Sequence, residues 1–192
     1  LTLLAIHKLG AEYQCYAPNV SQHHVLNFIT DEEMDEKRNV LIESARIARG
    51  DILDLAQFDP DKHDALVIPG GLGVAKNFCD YIVKGEITSI NKDVENAIVH
   101  THGQDKPVGA LCIAPVLLAK LIPSALLTVG QDQGVAQSVE KMGATHAPTS
   151  HGEIVIDTKN KLVTTPCYML DARVDQIAEG AENLVKAVMK LM

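Results

Sequence analysis

One thiol stands at the break between two apolar runs. In VGALCIAPVLLAK (108–120), Cys112 follows DKPVGAL (105–111) and precedes IAPVLLAKLI (113–122), with Pro115 three residues on. The first run reads as a strand buried on both faces and the second as the helix after it. Pro115 fits the first helical turn, where a missing N–H costs little. This is the layout of a nucleophile elbow, a sharp strand–turn–helix bend that lifts one side chain above the sheet. The free N–H groups and partial positive charge at the start of the helix favour a thiolate there. A positioned thiolate attacks electrophilic carbon, so covalent catalysis is the chemistry the pattern suggests. The competing reading is a structural cysteine, because free cysteine is among the most buried residue types.

A second motif bears on that choice. IPGGLG (68–73) also closes a buried apolar strand, ALVIPGG (65–71). Its glycines let main chain approach a ligand closely. They can offer N–H groups to an oxyanion, joined by the N–H of Ile113 behind the thiol. Its plainer reading is a Gly-rich turn between a strand and a helix. The two motifs at two strand ends are stronger together than either alone.

The elements that must position them alternate between strand and helix. LTLLAIHKLG (1–10) reads as the second half of a helix, AEYQCYA (11–17) as a strand, and residues 19–36 as a loop with some local structure. KRNVLIESARIARG (37–50) is an amphipathic helix closed by Gly50, with Arg38, Arg46 and Arg49 among Glu36 and Glu43 on a charged face. Strands follow at 51–58 and 65–71, helices at about 74–83 and 91–103, then the strand and helix around Cys112. Beyond them come a strand at 125–130, a helix at 134–143, two strands around an Asn-Lys turn in 153–166, and a last amphipathic helix at 171–191. Such alternation implies an α/β fold with a mostly parallel sheet covered on both faces, in one domain over 1–192. A helix that leads into a strand normally follows an earlier strand, so a first strand is expected upstream of Leu1.

Bulk properties narrow the function. The 192 residues carry a net charge of −8 and are 46% hydrophobic. That argues against nucleic acid or an anionic membrane surface as partner. No apolar run reaches the length of a membrane span. The four cysteines lie far apart without CxxC spacing, which suggests neither a zinc site nor a redox pair. A reducing compartment is the expected home. The histidines build no metal constellation, and His146 and His151 read as surface-loop residues.

RNVLIESARIARG (38–50), ALVIPGGLGVAKN (65–77), CIAP (112–115) and NKLVTTPCYM (160–169) together resemble the ThiJ/PfpI superfamily, relatives of the class I glutamine amidotransferases. More closely they resemble its ElbB group, the sigma cross-reacting or enhancing-lycopene-biosynthesis proteins. The resemblance implies a flavodoxin-like three-layer sandwich, Cys112 as nucleophile, and Gly71 and Ile113 as oxyanion donors. Gly70, Asn77 and Thr165 are the pocket candidates beside them, a solvated helical turn being the plainer reading of Lys76-Asn77. It also implies an upstream Glu contacting the thiol and a homodimer. The late His-x-Glu of amidotransferases is replaced by Thr164-Thr165-Pro166-Cys167, so glutamine hydrolysis lacks its base. Cys79 and Cys167 read as packing residues.

The activity so implied is glyoxalase-like: small dicarbonyls such as glyoxal become hydroxy acids, with no cofactor because the redox change is internal. The rival is a redox-sensing or regulatory protein, since an exposed reactive thiol oxidises readily. Cytoplasm is the default location, and mitochondria if the source is eukaryotic.

Overall fold

The computed structural model of the chain describes residues 1–87 and 89–192. Its first helix, α1 (Thr2–Lys8), leads into β1 (Cys15–Ala17). A hairpin of β2 (Val25–Asn27) and β3 (Glu32–Met34) precedes α2 (Val40–Ile47) and β4 (Ile52–Asp54). After β5 (Leu66–Ile68) come a π-helical turn at Val74–Phe78, the short α3 (Tyr81–Lys84) and α4 (Lys92–Gly103). Strand β6 (Val108–Leu111) is followed by α5 (Pro115–Leu121), β7 (Leu126–Leu127), α6 (Gln133–Lys141) and β8 (Thr145–His146). The chain ends with β9 (Val155–Asp157), β10 (Leu162–Thr165) and α7 (Val174–Leu191).

The central sheet has the order β5-β6-β10-β9, parallel except for the antiparallel edge strand β9. Separate parallel pairs join β1 to β4 and β7 to β8. Alternation along β6 decides the layers. Val108 and Ala110 face a core built with α4 and α5, including Ile98, Leu117 and Leu118. Leu111 faces the opposite core, with Val163 of β10 and Leu184, Val185 and Val188 of α7. Gly109 makes room for that helix: a β-carbon there would lie 2.9 Å from Leu184 Cδ2. Helix α1 packs on α7 in the same outer layer. The result is the expected three-layer α/β sandwich, and each fully buried Leu contributes roughly 1.5–3 kcal/mol.

Side-chain caps start α2, α4 and α6. Asn39 Oδ1 accepts from Ile42 N at 3.1 Å, Asn91 Oδ1 from Asp93 N at 3.0 Å, and Asp132 Oδ1 from Val135 N at 2.9 Å. Ion pairs of Arg38 with Glu36 at 2.6 Å and of Arg46 with Glu43 at 3.0 Å confirm the charged face around α2.

Several expectations need correction. The local structure expected within the loop 19–36 is a hairpin, β2–β3. The helix expected at about 74–83 is a π-helical turn and a separate short helix, broken at Cys79, whose φ of −146° and ψ of 178° are extended. The strand expected at 125–130 shrinks to two residues, and β8 had no counterpart in the sequence reading.

Candidate functional site

The parallel strands β5, β6 and β10 bring their carboxyl ends to one edge, where ligands bind in open α/β sheets. Cys112 stands there, one residue past β6, at φ +60°. A left-handed non-glycine residue is strained by about 1–2 kcal/mol and persists only where its surroundings over-determine it. Three contacts do so. The Cys112 N–H donates to Thr165 O at 3.0 Å, beyond the last ladder pair of β6 and β10. The Ala114 N–H donates back to Leu111 O at 3.0 Å and closes the turn into α5. Gly70 lies against the bend: a β-carbon there would sit 2.8 Å from Cys112 Cβ and collide with Leu111 O. The strand–turn–helix elbow is therefore formed, with the cysteine half-buried and touching both cores.

Gly70 and Gly71 have φ of +86° and +93°, a conformation open to glycine. Space above Gly71 is free: nothing lies within 4 Å of a β-carbon placed there. Among the described residues, neither the Gly71 N–H nor the Ile113 N–H finds an intramolecular acceptor. Two main-chain donors, one next to Cys112 and one next to Gly70, are thus unspent among the described residues.

The other pocket candidates lie differently. The Thr165 hydroxyl donates to Glu153 O at 2.8 Å and faces Gly180 of α7, so Thr165 offers Cys112 its carbonyl and not its side chain. Asn77 Oδ1 accepts from His23 N at 2.8 Å, and the neighbouring Lys76 Nζ lies 2.9 Å from His24 Nε2. Asn77 lines a cavity of about 320 Å³ with Val20, Asp80 and Asn91, and Cys112 is not part of that lining.

Three features escaped the sequence reading. Cys167, read as a packing residue, lies two residues past Thr165, whose carbonyl accepts from the Cys112 N–H, and both cysteines join the core under α7. Burial pushes the Cys167 thiol up to about 12, a negative charge on Cys112 adding to the effect. The histidines expected on a surface loop are half-buried, and His146 Nε2 and His151 Nδ1 are shielded without a partner among the described residues. His151 lines a hollow of about 750 Å³ with Glu153, Glu179, Asn183 and Lys186. Finally, Tyr16 Oη meets His63 Nε2 at 2.9 Å while Phe58 stacks on the imidazole, whose burial lowers its pKa.

No family model matches the chain. It is 42% identical to the mitochondrial ES1 protein homolog of Rattus norvegicus, over 98% of this chain and 75% of that protein. The crystal structure of an isoprenoid biosynthesis protein with an amidotransferase-like domain from Ehrlichia chaffeensis superposes with a TM-score of 0.91. It is 32% identical, over 99% of this chain and 88% of that one. Glyoxalase III from Candida albicans shares the fold at a TM-score of 0.64 and 16% identity, over 100% of this chain and 84% of that one.

Proposed function

The chain belongs to the ES1 protein family of the ThiJ/PfpI, amidotransferase-like superfamily, and from that premise we propose a cofactor-independent, glyoxalase-like conversion of small dicarbonyls at Cys112. The observation that carries it is the strained elbow at Cys112, together with the unspent N–H groups of Gly71 and Ile113. The Cys112 thiolate adds to one aldehyde carbon of glyoxal, and the carbonyl electron pair moves to oxygen. Gly71 and Ile113 hold that oxyanion. The C–H proton of the attacked carbon then moves to the neighbouring carbon through an enediol, oxidising the first carbon and reducing the second. The thioester that results is hydrolysed by water to glycolate, and the thiol returns. Electrons stay within the substrate, so no nicotinamide takes part.

Glutamine hydrolysis is not part of the proposal. Thr164 and Thr165 spend their hydroxyls on Thr128 N and Glu153 O, where an amidotransferase would carry its base. A homodimer and a mitochondrial setting in a eukaryotic source complete the proposal, the latter following the rat relative's name.

A second reading has its own support. Proton transfer between the two carbons needs a base, and among the described residues no carboxylate or imidazole hydrogen-bonds the Cys112 thiol. A half-buried thiol held at a strained bend also suits a redox-responsive protein. Glyoxal consumption by the purified protein separates the readings. Turnover that Cys112→Ser abolishes supports the enzyme, and turnover that survives Cys112→Ser refutes the mechanism. A Cys112 that oxidises with mild peroxide in a protein that leaves glyoxal unchanged supports the sensor.

A further inference from the structure

Strands β6 and β10 are parallel neighbours with Leu111 opposite Thr165, and such strands run about 4.8 Å apart. Cys112 lies one residue beyond that pair and Cys167 two. The bond from Cys112 N to Thr165 O keeps the two segments together past the ladder. The chain then turns back through Pro166, and Cys167 takes φ +43°. Both cysteines pack on the cluster of Leu111, Val163 and Ile177, and a negative charge on Cys112 bears on the Cys167 thiol. The two thiols differ in access: Cys112 is half-buried, whereas Cys167 is 8% exposed. A reachable thiol backed by a shielded one is the arrangement of an attacking and a resolving pair.

We propose that Cys112 and Cys167 form a reversible dithiol site for hydroperoxides, in which Cys112 is oxidised first and Cys167 closes the disulfide. The proposal rests on the reading of Cys112 as a reactive thiol. The Cys112 sulfur attacks one peroxide oxygen, an S–O bond forms, and the O–O bond breaks. The leaving oxygen takes a proton and departs as water or alcohol. The Cys167 sulfur then attacks the Cys112 sulfenyl sulfur, the S–S bond forms, and the S–O bond breaks. Hydroxide departs with the Cys167 proton as water. Two thiols have given two electrons and two protons to the peroxide, and an external thiol restores them. The first step also prepares the second, because a sulfenic acid lacks the negative charge that helps hold Cys167 protonated. Closure protects Cys112 from sulfinic acid, which ordinary thiols do not reverse.

The test exposes the full chain to one equivalent of hydrogen peroxide, blocks free thiols, and maps peptides without reduction. A parallel sample reports Cys112 alkylation by iodoacetamide. The expected product is a Cys112–Cys167 cross-linked peptide that dithiothreitol removes. In both Cys167→Ala and Cys167→Ser, Cys112 should instead gain oxygens and lose reversibility roughly tenfold or more. If Cys112 alkylates yet goes to sulfinic acid equally fast with and without Cys167, the dithiol proposal falls and the reactive-thiol reading stands. If Cys112 resists both iodoacetamide and peroxide, both fall together.

Discussion

Gly70 packs its α-carbon against the Cys112 bend so closely that a β-carbon would lie 2.8 Å from Cys112 Cβ. Gly71, the next residue, has the same backbone hand but open space above it. The two glycines should therefore respond differently to one methyl group. Gly71→Ala meets only conformational strain, about 1–2 kcal/mol. Gly70→Ala adds a clash with backbone that cannot yield, and should cost on the order of 3 kcal/mol or more. Urea unfolding of both variants checks this. Equal losses would show that Gly70 does not support the elbow. Glyoxal turnover or thiol alkylation should also fall further in Gly70→Ala.

The strain at Cys112 gives a second expectation. At φ +60° every side chain pays, and glycine does not. Cys112→Gly should be more stable than Cys112→Ala by about 1 kcal/mol, although glycine usually destabilises folded segments. Both variants lose all chemistry of the thiol. Matched denaturant curves decide it. An alanine variant at least as stable as the glycine variant would mean that the elbow relaxes once the sulfur is gone, and that the strain belongs to the cysteine's contacts.

What the sequence made legible follows from what burial writes into it. Strand β6 is buried at every position, so a continuous apolar run announces it, and α7 carries an amphipathic stripe over eighteen residues. The bend at Cys112 shows because an apolar strand stops at a thiol and a proline soon opens a helix. The β2–β3 hairpin was hidden because its second strand, Glu32-Glu33-Met34, is exposed throughout and its turn carries Phe28 and Ile29, 77% and 94% exposed. Hydropathy has little to report where Val25 is the hairpin's one buried strand residue. Cys167 was hidden for another reason. Its closeness to Cys112 depends on the β6–β10 register, which brings distant segments together and leaves no local spacing such as CxxC. The shielded nitrogens of His146 and His151 depend likewise on tertiary packing around a polar loop.

The last expectation concerns Asp157, which joins the outer strands to the loop before β10. Its Oδ2 accepts from Leu126 N at 2.8 Å and from Asn160 Nδ2 at 2.7 Å, and its Oδ1 accepts from Asn160 N at 3.0 Å. Burial alone would raise its pKa, but these hydrogen bonds to the carboxylate outweigh burial and hold it below the ordinary value. The sign is then determined. A depressed carboxylate contributes stability in full above its unfolded-state pKa of about 3.9, and the contribution drains away as pH falls through the folded-state value. Asp157→Asn keeps the shape, loses the charge, and presents an amide N–H₂ where an acceptor is needed. It should cost about 2 kcal/mol at pH 7. The gap from the unsubstituted protein should narrow only below about pH 4. Urea midpoints of both proteins from pH 7 down to pH 3 measure it. A gap that is constant across that range would show that the carboxylate's charge does not hold β7 to β9.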